Sequence, residues 1–384
     1  MDTIMPDGRN IGCGKLICAS SAESSDILYA SGFNAADEFL YFELNGKRTA
    51  VVSPLEFQRA RSEVHEGVDV MDSTDIAREF PREERLQPLA LLVSRKCGVT
   101  RWLVPGSFPL GLAEKLRAAG VETIPVSDDF FPERAVKTER EIGFIRESMA
   151  ATEEAMHQVE SFLRESKVRT DGTLELNGQI LLCEWIRSEV EAEFKRKGFS
   201  ASRTIIACGP DASAPHCIGS GPVRAGEPLV ADIFPRSDRT GYWGDMTRTF
   251  VKGKASPVVL RAFQAVKNAS EEVLKVLKPG RPGSDYHALA AKVLESAGFR
   301  TMRGADGIPR GFFHGLGHGV GLDIHENPRL SPSGAAILEP GHVVSVEPGL
   351  YDPAWGGIRL EDLVVIRADG CENFCTMPKE LEIS

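Results

Sequence analysis

Residues 311–328 read GFFHGLGHGVGLDIHENP. Three of the chain's eight histidines, His314, His318 and His325, fall in this stretch, among glycines at 311, 315, 317, 319 and 321. Five glycines in eleven residues exclude a helix, because each costs about 1 kcal/mol there relative to alanine. From 315 to 321 the glycines alternate, which matches a strand with one face bare of side chains. A bare face lets something come close to the backbone: another strand, a ligand or a metal cluster. His314 and His318, four apart, share a face of that strand.

Carboxylates are depleted in strands and costly in cores unless paired or bound to metal. Four segments break that rule. PLVADIF (228–234) carries Asp232, GYWGDMTRTF (241–250) carries Asp245, and HVVSVEPGLY (342–351) ends its apolar run at Glu347. GIRLEDLVVI (357–366) carries Glu361, with Arg359 two residues earlier on the same face. The turn-forming SDRTG between the first two predicts a hairpin that sets Asp232 and Asp245 across from each other. One such acid alone reads as a surface-facing strand residue. Four of them with His318 have the composition of a two-metal site. Hard oxygen ligands with a single imidazole suit Mn²⁺, Co²⁺ or Zn²⁺.

With 384 residues, 42% of them hydrophobic, the chain is comfortable for two domains. EFLYFELNGKRTAVV (38–52) reads as a hairpin turned at Asn45-Gly46. Helix and strand patterns then alternate, giving an α/β domain over 1–133. The pattern changes near 127–138, and the second domain spans 136–384. There, helices are expected from Thr138 to Glu165 and over 173–197, then strands, then helices over 256–278 and 283–297, then strands. Two rounds of helices followed by strands suggest an internally duplicated α+β domain.

A net charge of -10 argues against non-specific nucleic-acid binding. No stretch approaches 18 consecutive apolar residues, and the N-terminus lacks a signal-peptide pattern. The eight cysteines lack the spacing of a zinc knuckle and read as free thiols, which predicts a cytoplasmic protein without a membrane partner.

The set DIFPRSDRTGYWGDMTRTF, HGLGHGVGLDIHENP, SVEPGLY and GIRLED resembles the pita-bread metallopeptidases, which include aminopeptidase P, prolidase and methionine aminopeptidase. The first domain resembles the N-terminal α/β domain of aminopeptidase P, prolidase and creatinase, which methionine aminopeptidases generally lack. The resemblance implies an α/β domain followed by an α+β pita-bread domain with a pseudo-twofold duplication. It makes Asp232, Asp245, His318, Glu347 and Glu361 the ligands of two divalent ions, Mn²⁺ first, with Co²⁺ or Zn²⁺ as alternatives. Asp245 and Glu361 would bridge the pair. His216, His314 and His325 match substrate-side histidines, and Arg359 matches an arginine beside the last ligand. A homodimer is expected by the same resemblance. This chain departs from the family in spacing its two aspartates thirteen apart instead of eleven, and no glycine follows Asp232 by two. Two extra residues preserve strand facing, so a longer turn is expected.

The activity implied is Xaa-Pro aminopeptidase, cutting the amide bond before a proline in second position of a peptide. The alternatives are an Xaa-Pro dipeptidase (prolidase) or a metal-dependent amidohydrolase of a small molecule. By resemblance, Glu347 shuttles the proton, and His325 or His216 stabilises the oxyanion. Phe312, Phe313 and Trp355 are candidates for a proline slot. A metal-free creatinase-type reaction and a non-catalytic binding module both fit poorly, because all five ligand types are present. No HExxH or G-x-S-x-G motif occurs.

Overall fold

Asn45 and Gly46 both take positive φ, 52° and 76°, as a two-residue hairpin turn requires. They join the antiparallel strands Phe39–Leu44 and Lys47–Val52. The computed structural model describes residues 13–127 and 129–384, so most of the N-terminal stretch read for targeting signals lies outside it. The described residues divide into two compact units after Arg134. In the first, the hairpin sits inside a six-stranded mixed sheet flanked by Val68–Asp72 on one edge and Glu122–Val126 on the other. Neighbouring residues of one strand feed opposite cores: Leu16, Leu40 and Trp102 pack on one face, Ile17, Tyr41 and Phe33 on the other. That is an α/β sandwich.

The second unit opens with a 27-residue helix, Glu139–Glu165. Thr138 and Glu141 form a reciprocal capping box at its start. Its inward stripe includes Ile142, Ile145, Met149 and Met156. The next helix runs Cys183–Arg196, ten residues later than the sequence pattern suggests. Residues 174–180 instead form a small hairpin turned at Asn177-Gly178, again with positive φ at both positions. The Asn-Gly dipeptide was the available signal, and the leucines beyond it masked it.

These two helices lie against a sheet ordered Ile205–Cys208, Leu229–Ile233, Met246–Lys252, Glu382–Ile383. A second helix pair, Pro257–Val276 and Gly283–Ser296, lies against a five-stranded sheet. That sheet is ordered Glu326–Leu330, Gly317–Gly319, Val343–Val346, Asp362–Ile366, Cys371–Asn373. The unit thus repeats one helix-pair-plus-sheet arrangement twice, the duplicated α+β architecture expected. Among the described residues, no helix is long and apolar enough to cross a membrane, and all eight cysteines are free.

Candidate metal centre

The glycine-rich segment forms a shorter strand than its alternation suggests, Gly317–Gly319. Its glycines are required by neighbouring strands. A Cβ on Gly317 would lie 1.9 Å from the Ser345 carbonyl oxygen, and one on Gly319 would lie 2.3 Å from that of Asn327. His318 is thereby held between two strands at van der Waals contact with their backbones. Its backbone N–H donates to Ser345 Oγ (3.1 Å), and Ser345 Oγ–H donates to Glu347 Oε1 (3.2 Å). His318 Nε2 lies 3.1 Å from the same Glu347 oxygen and 3.8 Å from Asp245 Oδ2.

The aspartates do not lie directly opposite each other. Asp232 pairs with Thr247, and Asp245 lies two residues before Thr247, immediately ahead of the partner strand Met246–Lys252. The two acids are diagonal neighbours on one face, since two residues is the side-chain period. The longer turn between them contains a two-residue strand, Arg236–Ser237, paired to Phe199–Ser200. Asp245, His318 and Glu361 each bring one ligand atom to within 4.8 Å of the others. Glu361 Oε2 accepts from Thr247 Oγ1 at 2.8 Å. Arg359 Nη2 donates to Asp232 Oδ2 at 2.7 Å, while Asp232 Oδ1 is buried without a hydrogen-bond partner.

All five sequence-named acids and histidine, with His216, His314, His325 and Arg359, line one cavity of about 1060 Å³. His325 stands edge-on to His318, ring centroids 4.4 Å apart. The proline-slot candidates divide. Phe313 lines the cavity, whereas Phe312 is buried in the core and stacks on His287, and Trp355 packs against that core. Ile205, Ile218, Phe234 and Ile324 complete the apolar wall.

Tyr351 went unread in the sequence. Arg359 Nη1 donates to its hydroxyl (2.8 Å), which in turn contacts His314 Nε2 (3.1 Å), and His314 Nδ1 faces the Gly315 carbonyl (2.7 Å). The carbonyl fixes the proton on Nδ1, so the tyrosine donates to Nε2. A tyrosine in an apolar strand reads as core, and only its place two residues beyond Gly349 hinted at a facing site.

The electrostatics follow from four carboxylates facing one guanidinium. Burial, then the neighbouring acids, push Asp245 and Glu361 well above the usual carboxylate range. Burial opposes the charge of Glu347 too, but His318, His314 and Arg359 outweigh it and lower its pKa to about 2. A cluster of oxygen donors with one imidazole, short of positive charge and holding an orphaned carboxylate oxygen, has the donor set of a divalent metal site.

Residues 143–368 match the profile of metallopeptidase family M24. A peptidase of Bacillus subtilis, the uncharacterized peptidase YqhT, is 31% identical over 264 residues, 68% of each chain. The Xaa-Pro dipeptidase of Pyrococcus horikoshii is 26% identical over 365 residues, covering 94% of this chain and 93% of that protein. The solved structure of an Xaa-Pro dipeptidase from Bacillus anthracis superposes with a TM-score of 0.79 at 22% identity, covering 97% of this chain and 95% of that one, which shows a shared fold. With the profile spanning more than half of the sequence and containing every acid and histidine of the cluster, the chain belongs to metallopeptidase family M24.

Proposed function

We propose that the protein is a dinuclear-metal Xaa-Pro dipeptidase, a prolidase. The observation that carries the reading is the convergence of Asp232, Asp245, His318, Glu347 and Glu361 on the floor of one cavity. In this reading they hold two divalent ions, with Mn²⁺ suited to the oxygen-rich set. Curated relatives named Xaa-Pro dipeptidase support the dipeptide substrate over the aminopeptidase activity placed first on sequence grounds. The cavity wall supports it too. Outside the acid cluster and Arg359, its charged lining residues are Arg203 and Arg329, both cationic in a chain of net charge -10. A dipeptide presents a free carboxylate close to the scissile bond, and a longer peptide does not.

Bound metal supplies Lewis acidity at the carbonyl and hydroxide near neutral pH. The rest falls to the chain's own side chains. Glu347 is ionised at neutral pH, and its Oε1 takes the contacts from His318 and Ser345. Its Oε2 is left to accept a proton from the attacking water and return it to the leaving proline nitrogen. His325 and His216 face the cavity as donors to the developing oxyanion. Arg359 fixes Asp232 and, through Tyr351, the ring of His314. Phe313 and Phe234 offer the apolar surface that a proline ring needs, since its nitrogen has no N–H to recognise. A cytoplasmic homodimer belongs to the same reading. Unpaired thiols agree with the compartment, and light scattering tests the assembly.

The deciding experiment offers Leu-Pro, Leu-Pro amide and Leu-Pro-Xaa-Xaa to chelator-stripped protein with and without Mn²⁺, and quantifies released leucine. Metal-dependent cleavage of Leu-Pro, with kcat/KM at least about 100-fold lower on the amide and the tetrapeptide, is expected. Equal cleavage of the tetrapeptide makes the enzyme an aminopeptidase, and no cleavage of any of the three removes the Xaa-Pro reading.

A further inference from the structure

His325 ends a run of bends, 321–325, that belongs to no strand ladder. Its ring nevertheless stands squarely against that of His318. Something other than regular backbone pairing must hold it. The next residue, Glu326, directs its carboxylate back under the bends. Glu326 Oε2 accepts from the Asp323 N–H (3.3 Å), and a Cβ on Gly321 would lie 2.5 Å from Glu326 Oε1. The segment is wrapped around this carboxylate. Lys137 Nζ meets Glu326 Oε1 from the far side, with side-chain exposures of 1% and 10%. Lys137 is itself fixed: its ammonium also donates to the Ala135 carbonyl (3.1 Å), and its backbone N–H to that of Gly341 (2.9 Å). Trp243 closes the other side, its backbone N–H donating to Gly321 O and its Nε1 to Leu322 O, each at 3.0 Å.

We infer that the buried Lys137–Glu326 ion pair is a strut that sets the position of His325 in the cavity, so that both are positioning residues for the reaction. It rests on the reading above, in which His325 faces the substrate. A buried ion pair is a poor source of stability compared with an apolar pair of the same volume, but it is directional. Glu326 is also the residue opposite Gly319, so the strut bears on the strand that carries His318. Neither Lys137 nor Glu326 lines the cavity. Their effect must therefore pass through the loop.

The test uses the full-length protein, loaded with Mn²⁺ for the kinetics and with diamagnetic Zn²⁺ for the spectra, and the variants Lys137→Met, Glu326→Gln and Lys137→Arg. Two quantities are read: kcat and KM on Leu-Pro, and the side-chain ¹H–¹⁵N spectrum of the histidines, with the His325 signal identified by its loss in His325→Gln. In Lys137→Met and Glu326→Gln, kcat is expected to fall about tenfold or more with KM within about twofold. The His325 signal should move while that of His216 stays, and Lys137→Arg should restore both. If Lys137→Met does not fold, Glu326→Gln decides alone. An unmoved His325 signal overturns the inference, whether kcat is unchanged or falls only with the folded fraction. Wild-type protein that leaves Leu-Pro uncut defeats the dipeptidase reading, and the His325 signal then judges the strut by itself.

Discussion

Tyr351 shows what a single hydroxyl contributes to a charged cavity. Burial pushes its pKa up to about 12, so it remains a neutral hydroxyl at every working pH. It accepts from Arg359 and donates to His314, and it thereby transmits the orientation of a buried cation to an imidazole that lines the cavity. Tyr351→Phe keeps the ring and its packing against Phe313 but removes both bonds. We expect kcat/KM on Leu-Pro to fall about ten- to hundredfold, the usual loss for a hydrogen bond to a charged partner, with bound metal unchanged. Steady-state kinetics beside elemental analysis check this, and an unchanged kcat/KM would show that the relay contributes nothing. At this scale the sequence was readable where chemistry conflicted with environment. Asp232, Asp245, Glu347 and Glu361 stood out because acids do not belong in apolar strands. Tyr351 and Thr247 did not stand out, because each is at home in one, and neither did Ser345, whose small hydroxyl raises no such conflict.

Elements place these residues, and backbone proximity does much of the placing. Gly317 exists because the strand carrying His318 passes against the carbonyl of Ser345, the residue whose hydroxyl holds both His318 and Glu347. Gly317→Ala sets its new methyl against backbone that cannot rotate away. A destabilisation of about 1–3 kcal/mol is expected, as for other overpacked sites. Gly315→Ala meets nothing closer than the Ser331 Cβ at 3.3 Å, a contact that a shift of a few tenths of an ångström relieves, and its melting temperature should fall less than that of Gly317→Ala. Thermal melts of the two variants separate close approach from mere strand composition, and equal shifts would refute the distinction. The alternation of glycines announced a bare face. It did not announce what would occupy that face, because pairing partners distant in sequence leave no local signal. The same limit explains the Asp232–Asp245 hairpin: its strands were legible, but their diagonal register depends on an internal strand pairing with Phe199–Ser200.

The whole molecule carries a net charge of -10, and among the described residues a buried group of acids and a histidine lies inside the second unit. The order of motifs along the sequence was enough to forecast that cluster, since each acid marks the start, middle or end of an apolar strand. What the order does not show is how poorly the chain alone neutralises it. Among the described residues, Arg359 is the guanidinium bonded into the cluster, at Asp232, and Asp245 and Glu361 are pushed well above the usual carboxylate range by burial and by the neighbouring acids. A folded chain with this excess gains from any divalent ion that the unfolded chain does not bind. At a free ion concentration 100 times the dissociation constant the gain is about 2.7 kcal/mol. Scanning calorimetry should therefore show Mn²⁺ raising the unfolding temperature of chelator-stripped protein by several degrees. The double variant Asp245→Asn, Glu361→Gln separates the two causes. Its amides remove the repulsion and two ligands together, so the metal-free variant should unfold above the metal-free wild type and ignore added Mn²⁺. That outcome would mean the fold tolerates a strained acid cluster for the sake of its ions. A wild type whose melting temperature ignores Mn²⁺, Co²⁺ and Zn²⁺ alike would mean the cluster is not a metal site.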